Sequence, residues 1–164
     1  MRTCAAVLCL LACAASAGMA DTTLYVSPDG NDAWSGTLPA ANAAKADGPL
    51  RSLAAARDLI RAMKAGGPLT EPVRVLLRRG VHTLEEPLIL EPQDSGTEAC
   101  PITYGAYQDE KPVISGGTRV EGWVKDVEGV WRAQLEAPEG TGWPLRQLFV
   151  NGERRTLARS PNTG

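Results

Sequence analysis

Beyond its first twenty residues this chain has almost no cysteine, and that scarcity limits how the fold can be held together. Cys4, Cys9 and Cys13 lie in the opening stretch and Cys100 stands alone after it. Once the opening stretch is removed no intrachain disulfide can form. Packing of stacked elements must then hold the fold, and Cys100 reads as a small buried hydrophobe with no metal role. Histidine is equally scarce. His82 is the single one, between Val81 and Thr83, with no sequence partner for a triad or a metal site, so a surface or turn-edge position is expected. After residue 20 no run approaches the roughly 18 consecutive apolar residues of a membrane span. Neither charge sign dominates: 17 Lys and Arg stand against 19 Asp and Glu, a net of -2. Such a mixed, weakly acidic surface gives no electrostatic footprint for nucleic acid or anionic lipid. Arg146, Arg154, Arg155 and Arg159 form the one basic concentration, read as a solvated hairpin face. Phosphate loops, dinucleotide fingerprints and nucleophile motifs are missing.

What is present begins with an export signal. Arg2 supplies a positive start, residues 5–15 an apolar centre, and Ala15-Ser16-Ala17 or Gly18-Met19-Ala20 the small residues of a cleavage site. Residues 1–20 are therefore expected to be a signal peptide cut after Ala20, and the protein to be exported to the periplasm, cell surface or outside. A buried N-terminal helix and a lipoprotein carrying Leu10-Leu11-Ala12-Cys13 are the alternatives. The remainder, with 43% hydrophobic and 22% charged residues in the whole chain, has the balance of a globular protein.

A short strand is expected over Leu24 to Ser27, followed by turn chemistry in Asp29-Gly30-Asn31-Asp32 and Ser35-Gly36-Thr37. Leu38 to Gly48 lacks strand alternation and reads as a surface loop. Ser52 is a suitable N-cap, and Leu53, Ala56, Ile60 and Met63 recur at helical spacing opposite Arg57, Arg61 and Lys64. Gly66-Gly67-Pro68 stops this helix. An isolated helix of this length is marginal in water, so its apolar face must dock. The period then changes to two, with Val73, Val75 and Leu77 facing one way. Val81–Leu84, Leu88–Leu90, Ile102–Tyr107 and Val113–Ser115 follow as expected strands, separated by turns rich in Gly, Pro, Asp and Ser. Parallel coils and an antiparallel sandwich both fit this local pattern.

From Thr118 the texture shifts. Trp123 and Trp131 lie on neighbouring strand-like runs, and Val150-Asn151-Gly152-Glu153 is a strong antiparallel hairpin turn.

Candidates for chemistry are few. Glycoside cleavage requires two carboxylates about 5 Å apart for retention, or about 6.5–9.5 Å for inversion. Asp94 with Glu98, or Asp109 with Glu110, are conceivable pairs, yet each lies in a turn where acidic residues are expected anyway. The acidic turn at residues 29–32 lacks the spaced ligands of a calcium loop and reads as an Asx-type turn. Indole faces can stack on sugars, but Trp123 and Trp131 are expected to pack in a small β module, leaving loop-borne Trp143 as the more exposed ring.

The block LYVSPDGNDAWSGT, residues 24–37, resembles the opening of secreted pectate-lyase-like β-helix proteins. SGGTRVEGW, GVWRAQL and RQLFVNGERRTLARSPN are similar to segments of glycoside hydrolase family 141 proteins. Leu50-Arg51 departs from the resemblance, standing where an aromatic and a small residue are expected, and an alanine-rich insertion precedes it. The resemblance implies a mainly β, right-handed parallel β-helix. Residues 21–117 would form its N-terminal cap helix and first coils, and residues 118–164 the start of an inserted antiparallel β module. Coil stacking stabilises such folds, so the chain is expected to be the N-terminal part of a longer protein. The implied function is hydrolysis of a plant or algal polysaccharide or oligosaccharide by carboxylates downstream of residue 164. No catalytic, cofactor-binding or metal-binding residue is thereby assigned within it, and no cofactor is expected. A polysaccharide lyase on the same fold and a non-catalytic glycan-binding surface protein are the alternatives.

Overall fold

The computed structural model describes residues 21–135 and 147–156. The expected signal peptide, Trp143, Arg146 and Arg159 lie outside them. The described residues divide into two compact units, one up to residue 118 and one from residue 119 on. The described part is mainly β, with one α-helix and four small sheets.

In the first unit the alternating apolar residues build a parallel ladder. β1 (Thr22–Val26), β2 (Val73–Leu77) and β4 (Ile102–Ala106) lie side by side in that order. Leu24 pairs with Val75 and Val75 with Tyr104; Val26 pairs with Leu77 and Leu77 with Ala106. Because the side-chain period of a strand is two, this register stacks Val73, Val75 and Leu77 beneath Leu24 and Val26 on one face. β3 (Gly80–Thr83) and β5 (Pro112–Ser115) form a second parallel pair, with Val81 opposite Val113 and His82 opposite Ile114.

Helix α1 (Leu53–Ala65) closes the core. Its first turn is capped by the Ser52 hydroxyl, which accepts from Ala55 N at 3.0 Å, and it ends at Gly66. Leu53, Ala56 and Ile60 are buried with Leu24, Val26, Leu50, Val73, Val75 and Leu77. Full burial of an aliphatic side chain stabilises by about 1.5–3 kcal/mol, so this cluster is the main source of cohesion. Met63, expected on the buried face, is 36% exposed. Leu59, one step earlier, packs against the core instead.

The turn motif explains how the helix is aimed. Asn31 Oδ1 accepts from Ala33 N, closing an Asx turn at 2.9 Å, while Asp32 Oδ1 accepts from Arg51 N at 2.7 Å and Ser52 N at 2.8 Å. Gly30 N donates to Ser27 O and Asn31 N to Pro49 O. A Cβ on Gly30 would collide with the carbonyl oxygens of Pro49 and Leu50. The residues 29–32 therefore clasp residues 49–52 and set the start of α1. Leu50, the departure noted above, is 2% exposed, and it bonds both ways with β1 through Leu50 N to Tyr25 O and Ser27 N to Leu50 O. Tyr25 N in turn donates to Gly36 O. The outer edge of β1 is thus covered by loop backbone, which removes an open template for strand addition.

Leu88–Leu90 is not a strand. Ile89 and Leu90 are 62% and 56% exposed, and the Ile89 carbonyl is taken by Arg57 Nη1 at 3.1 Å. Without a ladder partner, three apolar residues in a row are insufficient. Residues 92–94 form a single 3-10 turn whose Asp94 side chain accepts from Glu91 N.

Among its described residues the second unit has two antiparallel ribbons. β6 (Val124–Lys125) pairs with β7 (Trp131–Arg132), and β8 (Leu148–Val150) with β9 (Glu153–Arg155). In the second ribbon Asn151 and Gly152 both have positive φ, 55° and 79°, the conformation that the Asn-Gly hairpin demands.

Candidate functional site

One member of each conceivable carboxylate pair is already engaged by an arginine. Asp94 is gripped by Arg61, with Arg61 Nε donating to Oδ1 at 2.6 Å and Nη2 to Oδ2 at 2.7 Å; Nη2 also reaches Glu91 at 3.0 Å. The guanidinium, helped by the Glu91 backbone N–H, holds the Asp94 carboxyl far below the usual carboxylate range. The same pair raises Arg61. With a side chain only 7% exposed and both oxygens engaged, Asp94 fastens the 3-10 turn to α1. Lys64 adds to the latch by donating to Gln93 O and Ser95 O.

Glu110 is engaged in the same manner. Arg78 Nη2 and Nε donate to Oε1 and Oε2, both at 3.0 Å, and Arg79 N donates to Oε2 at 2.6 Å. Its carboxyl is lowered, first by Arg78. Arg78 also lies 4.8 Å over the Tyr107 ring, which meets Tyr25 edge-on at 5.5 Å, and donates to Pro39 O. A carboxylate held ionised beside a guanidinium is a poor general acid at neutral pH. Asp109 and Glu98 are exposed.

His82 reverses its expectation. It is 5% exposed, with Nε2 2.8 Å from the Arg78 carbonyl and Nδ1 buried without a partner among the described residues. The reason lies in phase: Gly80 starts β3 so that Val81 and Val113 face outward, at 56% and 53% exposure, and His82 turns inward. Cys100, by contrast, is buried and free.

His82 also borders a groove of about 560 Å³ beside the start of α1. Asp32, Arg51, Arg57, Glu85 and Glu86 share its wall, and no Trp, Tyr or Phe does. Glu85 and Glu86 come into view here because the chain after β3 bends past the helix, whereas the sequence shows only a turn before Pro87. The groove offers donors and acceptors of both signs, suited to a hydroxyl-rich ligand by hydrogen bonding and without a stacking surface. Among the described residues no group of three or more His, Cys, Asp or Glu is placed to share a metal ion. No helix among them is long and apolar enough to cross a membrane.

Trp123 and Trp131 are exposed, at 47% and 59%, and not packed in a module core. Two-residue strands bury too little to cover an indole. Trp34 is half-buried against Gly48.

Among solved structures the chain is similar to one described as a glycoside hydrolase, with 31% sequence identity and a TM-score of 0.72. The likeness covers 87% of this chain and 22% of that one, so the chain spans about a fifth of its neighbour's length. No protein-family model and no curated protein matches it. At this level of identity the chain has a glycoside hydrolase-like relative among solved structures.

Proposed function

We propose that this chain is the N-terminal part of an exported glycoside hydrolase built on a right-handed parallel β-helix, acting on a plant or algal polysaccharide. The observation that carries the reading is the likeness to a glycoside hydrolase over 87% of the chain. Support for the architecture comes from the in-register ladder β1-β2-β4 with the parallel pair β3-β5, the arrangement expected of successive coils. α1, packed on the core beside β1, is the cap; residues 21–117 are cap and first coils, and residues 118–164 begin an inserted antiparallel module. A burial gradient agrees with further stacking: Leu24 and Val75 are fully buried, whereas Tyr104 on β4 is only half-buried and Ile114 on β5 is 55% exposed.

In this reading the acid and its partner carboxylate stand on later coils. Asp94 and Glu110 serve the scaffold, since each is bound by arginine and kept ionised.

Incubating the complete gene product with plant and algal polysaccharides tests the proposal. New reducing ends with saturated products support it. Unsaturated products would identify a lyase, retention of glycan without cleavage a binding protein, and indifference to every polysaccharide would remove the carbohydrate reading. Secreted material whose N-terminus is Asp21 would support export.

A further inference from the structure

We infer that the second unit carries a glycan-binding cleft of its own, formed by Trp123 and Trp131 and suited to a neutral sugar chain. The inference rests on the carbohydrate reading above but concerns binding, not bond cleavage.

The ribbon's register puts both indoles on one face. Lys125 pairs with Trp131 and Val124 with Arg132; side chains alternate along a strand, so Trp123, two residues before Lys125, projects to the same side as Trp131. They are diagonal neighbours, about 7–8 Å apart in such a pairing. Each ring is available. Among the described residues the aromatic contact is between Tyr25 and Tyr107 and the cation-π contact between Arg78 and Tyr107, so neither indole face is occupied by a ring or a guanidinium. Trp123 is also fixed in orientation, its Nε1 donating to Val120 O at 3.0 Å. A ring fixed before binding loses little freedom when a sugar stacks on it.

Both tryptophans line a cleft of about 660 Å³, also walled by Val120, Arg132, Gln134 and Leu148. Arg132, the one charged wall residue among the described residues, is paired with Asp126 at 2.8 Å. The positive charge is thus compensated within the protein, which disfavours selection of a uronate, and the Gln134 amide at the wall remains for hydroxyl groups. Indole faces for the C–H side of a pyranose, with an amide at the margin, form the chemistry of neutral-sugar recognition. The groove near His82 has the polar groups but lacks the rings.

The test is affinity electrophoresis of the full chain in gels containing xylan, mixed-linkage β-glucan or polygalacturonate, with iodide quenching of tryptophan fluorescence. Retardation by a neutral polysaccharide, weakened about tenfold in Trp131→Ala and largely kept in Trp131→Phe, supports the cleft. Retardation by polygalacturonate alone, or equal retardation of wild type and Trp131→Ala, overturns it. So does iodide quenching unchanged between wild type and the double variant Trp123→Phe/Trp131→Phe, which would mean that both indoles are covered. A protein that binds without cleaving any polysaccharide keeps this inference while removing the hydrolase reading.

Discussion

The two units use the same residue types in opposite ways. In the first, Leu24, Val26, Val73, Val75 and Ile60 are at most 2% exposed, and a helix closes over three parallel strands. In the second, Val124, Val130, Trp131 and Phe149 are all more than half exposed on ribbons of two or three residues per strand. Aliphatic side chains become a core when long-range pairing brings a second and third layer onto them. A local hairpin alone leaves them in water, because two strands have only one neighbour each to cover them. Parallel pairing carries the larger entropic cost of closing long loops, and burial of Leu24, Val75 and Ile60 offsets it.

Truncation at the centre of the first core sharpens the contrast most. Leu24→Ala should destabilise by about 2–5 kcal/mol in chemical denaturation, as deletion of a buried leucine leaves a cavity. Val124→Ala should change stability by no more than about 0.5 kcal/mol. Equal losses would show that the ribbons are as deeply packed as the ladder.

Next comes the clasp. Asp32→Ala removes the acceptor of two backbone N–H groups at the entry to α1 and is expected to cost about 1–2 kcal/mol, with amide exchange fastest at Arg51 and Ser52. Asp32→Asn, which keeps Oδ1, should lose less. If both variants exchange like wild type, the clasp does not set the helix start.

Ion pairing gives the first unit a pH dependence. The native pKa of Asp94 lies below its unfolded value, as does that of Glu110. Their contributions are therefore complete above the ordinary carboxylate range, about pH 4 to 5, and are lost as pH falls through the depressed native values. Arg61→Ala should lower the thermal midpoint at neutral pH, and the gap to wild type should close on acidification below about pH 5. A gap that stays constant from pH 7 to strongly acidic conditions would remove Arg61–Asp94 as its source.

The smallest effect is expected in the second unit. Gly152→Ala forces a side chain onto a φ of 79° and should cost about 1 kcal/mol. Faster amide exchange confined to Leu148–Arg155, with no change in the first unit, is the expected reading.

Much of this organisation was legible before the structure. The Ser52 cap, the period of Leu53, Ala56 and Ile60, the alternation of Val73, Val75 and Leu77, and the Asn151-Gly152 hairpin are local signals, and local hydrogen bonding or side-chain period produces each. Leu88–Leu90 was misread because an apolar triplet becomes a strand only with a ladder partner, and here Arg57 takes the Ile89 carbonyl. His82 was misread because its direction depends on the phase at which β3 starts. A closer reading of Gly80 as the point where that phase is reset was the available signal. The Trp123 and Trp131 surface was missed because propensity favours burying aromatics, whereas two-residue strands give them nothing to hide beneath.

By itself the sequence determined where the chain turns, where its helix begins and ends, and which strand face is apolar, since these follow from backbone freedom, capping and periodicity within a few residues. The tertiary structure alone decided that Arg61 meets Asp94 across 33 positions, that Arg78 holds Glu110 across 32, and that Glu85 and Glu86 join Asp32 at one groove. Partners so distant in the chain are selected by how parallel strands and a helix pack together, and no local rule encodes that choice.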